Sequence, residues 1–203
     1  PEQWPAYYRE ARGCMTIDMD GRHLLDFSSM GIGACLLGFA DPDVTAAVIR
    51  RVQFGSMTTL MVPEEVELAR VLLDIHPWAQ KVRFARTGGG SMAVAVRIAR
   101  SATGREKVAI CGYHGWHDWY IAANLDGHHQ LDDHLLPGVV PHGVPARLAG
   151  SIYPFKYNEI EDLERILTEN KGEVAAVTME PLRHVMPEPG YLEAVRELCD
   201  KHG

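Results

Sequence analysis

Thr87-Gly88-Gly89-Gly90-Ser91 stands between a short apolar run, Lys81 to Ala85, and a segment from Met92 to Arg100 in which Ala and Val recur at helical spacing. Three glycines where a strand is expected to turn into a helix leave backbone N–H groups free and remove the side chains that would hold an anion away. They also sit at the positive end of the helix dipole. The chemistry this favours is phosphate binding. A tight strand-to-helix turn that binds nothing is the competing reading, because glycine is common punctuation in α/β folds. A second group, Gly112-Tyr113-His114-Gly115-Trp116-His117-Asp118, follows the buried-looking strand Lys107 to Cys111, and a third, Glu180-Pro181, follows Val174 to Met179. An aromatic side chain at a strand tip suits the stacking of a flat ring whose phosphate lies in the glycines. Tyr113 and His114 could equally anchor local structure through the hydroxyl and the ring N–H.

Other phosphate chemistries fit less well. Gly88-Gly89-Gly90-Ser91-Met92-Ala93 matches the dinucleotide fingerprint, which makes a nicotinamide or flavin dehydrogenase on a Rossmann sheet an alternative. That reading needs an acidic residue at the end of the next strand to hold a ribose, and this strand ends Cys111-Gly112-Tyr113. A triphosphate loop needs Gly-Lys-Ser/Thr after the glycines, and none is present. His114, His117 and Asp118, with His128, His129, His134 and His142 further on, could ligate a metal. Their spacing carries no Cys pair and no His-Glu-x-x-His helix, so the expectation is that there is no metal.

The elements that must position these groups are readable in part. Met15-Thr16-Ile17, the turn Asp18-Met19-Asp20-Gly21 and His23 to Phe27 predict a hairpin, with Asp-Gly supplying the positive φ. Residues 1 to 12, with Trp4, Tyr7 and Tyr8, have no clear period and could form an aromatic arm. Ser28 to Phe39, broken by Gly31, Gly33 and Gly38, reads as a loop able to approach a ligand or as a buried small-residue connection. Asp41-Pro42 should start a helix striped by Val44, Val48, Ile49 and Val52, and Pro63 a second helix ended by His76-Pro77. Further helices are expected over Glu159 to Asn170 and Tyr191 to Lys201, with a long loop from Asn124 to Gly150. Strand, glycine turn, helix and strand over 81–111 read as a parallel βαβ unit. All three motifs then lie at the carboxyl edge of one sheet.

Bulk composition sets limits on partners. The 203 residues are 46% hydrophobic and 23% charged, ordinary for a globular chain with a sizeable core. A formal charge of −7 argues against nucleic acid. No apolar run approaches the roughly 20 residues that span a bilayer, so no membrane partner is expected. Cys14, Cys35, Cys111 and Cys199 are scattered, and most sit in apolar runs. They read as buried small hydrophobes in a reducing compartment, which points to the cytoplasm. The chain opens at Pro1 without an initiator Met and stops at Gly203 just after a helical pattern, which reads as a fragment of something longer.

Several separated stretches in order, DMDGRHLLDFSSMGIGACLLGFADPDVTAAV, VRFARTGGGSMAVAVRIARSATGREKVAICGYHGWHD, AAVTMEP and GYLEAVRELCDKHG, resemble the class III aminotransferases of fold type I, nearest the glutamate-1-semialdehyde aminomutase branch. The resemblance covers essentially the whole chain. It implies an α/β three-layer sandwich around a mostly parallel sheet, with 1–40 as an N-terminal arm and hairpin segment and 41–203 as part of a large domain that binds pyridoxal 5'-phosphate. It also implies amino-group transfer, by transamination or within one molecule. The resemblance assigns the phosphate to Thr87, Gly88, Gly89 and Gly90, ring stacking to Tyr113 with His114 beside it, and shaping of the pocket to Glu180. Ser28, Ser29 and the Ser56-Met57-Thr58 loop would face an amine or amino-acid substrate, the last across a homodimer interface. In two respects the chain departs from the family pattern. The family's turn usually runs Ser-Gly-Ser/Thr-Glu, or Gly-Gly-Glu in a subset, whereas this chain has Gly89 and Gly90, without the hydroxyl donor and the carboxylate. The Schiff-base lysine and the Asp that pairs with the pyridine nitrogen are expected beyond Gly203, so no catalytic residue is assigned within the chain. A truncated or degenerate relative that binds a phosphorylated ligand without catalysis is the alternative.

Overall fold

The computed structural model describes residues 5–125, 129–134 and 137–203, with Ser29 described by its backbone alone. Trp4 of the expected aromatic arm and His128 lie outside the described residues. The chain forms two compact units, Pro1–Val82 and Arg83–Gly203. The expected division after residue 40 falls inside the first of them.

In the first unit the expected hairpin is present, with strand β2 (Met15–Asp18) antiparallel to β3 (His23–Leu25) and Thr16 opposite Leu24. Gly21 takes φ +83° in the turn, as the Asp-Gly step requires. Asp18 is the one buried residue among the described residues of this unit. Its carboxylate accepts the backbone N–H groups of Asp20 and Arg22, both at 2.9 Å, and pairs with the Arg22 guanidinium at 2.6 Å. The segment without a readable period contains a further strand, β1 (Tyr8–Arg12), antiparallel to β2. Four of its five residues are exposed, so it has no buried face to leave an alternation in the sequence.

After a single irregular turn, α1 (Ser29–Ile32), come α2 (Pro42–Gln53) and α3 (Pro63–Ile75). Asp41 caps α2 as expected, accepting the N–H groups of Asp43 and Val44 at 3.1 and 3.0 Å. Arg51 of α2 reaches Glu64 of α3 at 3.0 Å. The apolar stripe Val44, Val48, Ile49 and Val52 is present but uncovered, each residue being half exposed or more.

The second unit is a three-layer α/β sandwich. Strands β4 (Lys107–Cys111), β5 (Ile152–Pro154) and β6 (Val174–Met179) form a parallel sheet in the order β5-β4-β6. Side chains alternate across β4. Val108 and Ile110 enter a core with Val96 of α4 (Gly88–Thr103), Trp119, Tyr120 and Ile121 of α5 (Asp118–Ile121), and Leu131. Ala109 and Cys111 enter a second core with Leu163, Ile166 and Leu167 of α6 (Ile160–Glu169) and Val195 of α7 (Tyr191–His202). A central strand covered on both faces must be apolar at every position, which is why Val108 to Cys111 reads as a continuous run.

Three expectations change. Lys81 to Ala85 forms no strand: a strand exists only with a ladder partner, and none of β4, β5 or β6 pairs with it. The glycines are the first turn of α4 rather than a loop before it. Thr87 caps that turn, its Oγ1 accepting the Gly90 N–H at 3.0 Å and its carbonyl the Ser91 N–H at 2.9 Å, and this offsets the low helix propensity of glycine. Strand β5, three residues ending in Pro154, was too short to stand out from the loop before it.

Leu163 is fully buried and Met19, in the hairpin turn, is 64% exposed. Leu163→Ala should therefore cost about 2–5 kcal/mol of stability, against less than about 0.5 kcal/mol for Met19→Ala, read as the shift in urea midpoint at constant slope.

Candidate active site at the carboxyl edge of the sheet

Parallel pairing sets Cys111 of β4 beside Met179 of β6, and the Glu180 N–H donates to the Cys111 carbonyl at 3.0 Å. Gly112, Tyr113 and Glu180 therefore leave the sheet side by side. The Tyr113 N–H donates to Glu180 Oε2 at 3.2 Å, and Arg183 Nε lies 3.1 Å from the same oxygen. Gly112 has φ +96°, and a Cβ there would come within 2.8 Å of Glu180 Cγ and Cδ. Only glycine lets the carboxylate lie against the strand tip.

The Gly112 backbone is held at both of its polar groups. Its N–H donates to Nδ1 of buried His134 at 3.0 Å, and its carbonyl accepts from the buried Tyr120 hydroxyl at 3.0 Å. Each such bond contributes about 0.5–1.5 kcal/mol net, and leaving a buried partner unsatisfied costs more. The bond to Nδ1 sets His134 as the Nε2–H tautomer. Burial, with the Arg183 charge nearby, pushes its pKa down to about 4. Burial also lowers the pKa of His114, whose Nε2 lies 3.2 Å from the Cys111 carbonyl and whose ring stacks on Trp119 at 6.4 Å. His114 is thus turned inward as an anchor. Tyr113 stays 39% exposed, its ring meeting Trp116 and Tyr120 edge-on at 6.1 Å each. Burial pushes the Cys111 thiol up to about 11, which makes it inert.

The first turn of α4 meets this tip through glycine on both sides. A Cβ on Gly115, at φ +101°, would stand 2.6 Å from Gly89 Cα, and one on Gly89 would stand 3.4 Å from Gly115 Cα. The Gly88 and Gly89 N–H groups bond to no described residue. Thr87, Gly88, Gly89, Gly90, Tyr113, His114 and Glu180 are therefore brought into one place.

The expected substrate-facing residues belong to the other compact unit. There the Ser28 N–H and hydroxyl bond to Asp26 at 2.6 and 2.7 Å, the Thr58 hydroxyl bonds to the Leu60 carbonyl at 2.8 Å, and Met57 is 76% exposed. The side chain of Ser29 lies outside the described residues. Arg183, Tyr120 and His134 were not singled out from the sequence as parts of the site. Their signals were faint: an Arg three residues past Glu180, a Tyr on a four-residue helix, and one histidine among several in a loop. Among the described residues no group of three or more His, Cys, Asp or Glu could hold a metal ion. All four cysteines are free, but only Cys111 is buried, and Cys14 is exposed where burial was expected.

The arrangement of a parallel sheet, a glycine-led helix N-terminus and an aromatic strand tip is that of fold type I transferases. A solved transaminase with PLP bound superposes with a TM-score of 0.86 at 28% identity, over 100% of this chain and 48% of that one. The chain belongs to the class-III aminotransferase family, whose model matches residues 1–203. It is 31% identical to a 3-aminobutyryl-CoA aminotransferase of Cloacimonas acidaminovorans, over 100% of this chain and 46% of the relative. It is 34% identical to a glutamate-1-semialdehyde 2,1-aminomutase of Roseiflexus castenholzii, over 98% of this chain and 46% of the relative. The chain thus spans about half the length of the curated relatives it matches.

Two measurements probe this edge. Gly115→Ala adds a Cβ against backbone at positive φ and should cost about 1–3 kcal/mol, read in the same unfolding assay. Folded His134 stays neutral down to about 4, whereas an unfolded histidine protonates near the ordinary 6.5. The unfolded chain binds more protons between those values, so this contribution is complete above about pH 6.5 and is lost as pH falls towards 4. Unfolding midpoints should decline across that window. They should decline less in His134→Asn, whose Oδ1 can accept the same bond without titrating.

Proposed function

We propose that the protein carrying this chain is a pyridoxal 5'-phosphate enzyme that moves an amino group between small amines, amino acids or their carbonyl partners. The observation that carries this reading is the Gly89–Gly115 approach, which joins the two unpaired N–H groups of α4 to the half-exposed Tyr113 ring and the Glu180 carboxylate. A phosphorylated aromatic aldehyde fits this donor set. Its phosphate would lie on the Gly88 and Gly89 N–H groups at the positive end of α4, with Thr87 holding the turn closed, and its ring would lie against Tyr113. When bound, the cofactor supplies an electron sink that eases loss of a proton from the carbon bearing the substrate amine.

The protein's own contribution here is orientation. His134 and Tyr120 fix the Gly112 peptide, Glu180 holds the Tyr113 N–H, and Arg183 pairs with Glu180 and holds its carboxylate in place. None of these groups is assigned a proton-transfer role. Lys107, Lys156 and Lys201 are paired with Glu173, Glu159 and Glu164, and the reading assigns no catalytic lysine to residues 1–203.

Segment 1–40 is read as an N-terminal arm and hairpin, and 41–203 as part of the cofactor-binding domain. Ser28, Ser29, Met57 and Thr58 are read as substrate-facing. We also assign a homodimer, because the uncovered stripe of α2 is apolar area that a second copy would cover. The cytoplasm is the compartment that suits four free cysteines. No helix among the described residues is long and apolar enough to cross a membrane.

Equilibrium dialysis of the whole protein that carries this chain with pyridoxal 5'-phosphate should give saturable binding and a visible absorbance, and borohydride should fix the cofactor covalently to the protein. Tyr113→Ala should weaken binding roughly tenfold and Tyr113→Phe much less, as expected when ring area rather than the hydroxyl matters. Binding of a nicotinamide dinucleotide in its place would return the site to the dehydrogenase reading. Cofactor binding that borohydride does not make covalent would favour the non-catalytic relative.

A further inference from the structure

His117, in the loop between β4 and α5, has no partner for its ring among the described residues. Its carbonyl accepts from the Tyr120 and Ile121 N–H groups at 2.9 and 3.2 Å. Its backbone is extended and opens α5, yet its side chain makes no capping bond and is exposed. The other two histidines at this edge are committed, His114 to the Cys111 carbonyl and His134 to the Gly112 N–H. A Cβ built on Gly89 would meet the His117 ring first, with Cδ2 at 3.1 Å and Nε2 at 3.3 Å. The ring thus lies against the volume that a side chain at position 89 would fill. It can do so because Gly115, two residues earlier in the loop, lets the backbones touch. The neighbouring Thr87 hydroxyl accepts from the Gly90 N–H and keeps its own O–H to donate, so His117 would add a donor from a second segment.

We propose that His117 takes over the part of the side chain that Gly89 lacks, its imidazole donating to the cofactor phosphate at the first turn of α4. This rests on the cofactor reading above. The phosphate is then held by donors from two segments, the α4 backbone and the β4–α5 loop. The His117 contact exists only because Gly89 and Gly115 admit each other.

Two ligands separate the phosphate contribution from the ring: pyridoxal 5'-phosphate, and pyridoxal, which lacks the phosphate. Equilibrium dialysis of the protein with each should show His117→Ala raising the Kd for pyridoxal 5'-phosphate roughly tenfold or more, as for the loss of a hydrogen bond to a charged group. The Kd for pyridoxal should change less than about twofold. His117→Gln keeps an N–H donor at a similar reach and should recover most of the loss, which also guards against a folding defect in the Ala variant. Equal losses for both ligands, or none for either, overturn the assignment to His117 and leave the cofactor reading standing. A wild-type protein that binds neither ligand overturns the cofactor reading and this inference with it.

Discussion

Backbone contact between Gly89 and Gly115 is the constraint on which the arrangement depends. A Cβ on Gly115 would stand 2.6 Å from Gly89 Cα, a distance no side chain tolerates. Helix α4 begins with a turn whose Gly88 and Gly89 N–H groups bond to no described residue, and the loop after β4 carries the aromatic ring. Those two capacities become one pocket only where the chains touch. The glycines therefore act twice: at 88 and 89 they leave N–H groups that bond to no described residue, and at 89 and 115 they remove the atoms that would keep the segments apart.

Behind that contact stands the parallel sheet. Because β4 and β6 run the same way in register, their carboxyl ends are neighbours, and the Glu180 N–H extends the ladder by one bond to the Cys111 carbonyl. Both faces of β4 are packed, by α4 and α5 on one side and α6 and α7 on the other. The tip is then held by groups that have few alternatives. His134 is buried and neutral, Tyr120 is buried beside it, and Arg183 is paired with the same carboxylate that receives the Tyr113 N–H. Preorganisation of this kind lets a cofactor site orient its guest without first ordering its own walls.

The two units differ in how much of their apolar surface they cover. In the second, side chains of β4, α6 and their neighbours close two cores. In the first, α2 and α3 have no buried residue, although Asp41 and Pro42 start α2 as helix chemistry demands. Local signals were enough to form these helices, but their stripes remain available to something else. That fits a chain spanning about half the length of its relatives.

Local chemistry was legible in the residues themselves. Asp-Gly forecast the turn at Gly21, Asp41-Pro42 the start of α2, and the apolar run at 107–111 a covered strand, because each rests on interactions within a few residues. The glycines, Tyr113 and Glu180 could be named for the same reason: their chemical types and their places at element ends are local facts. Long-range facts were not legible. Lys81 to Ala85 has a strand's composition but forms none, since pairing needs a partner. Burial of His114, the bond from Gly112 to His134 twenty-two residues on, and the His117 ring beside Gly89 depend on how β4, α4 and the loops come together. Residue type fixed which groups could bind a phosphate and stack a ring; tertiary packing decided which of them face the pocket, because a side chain's neighbours are set by contacts between distant segments.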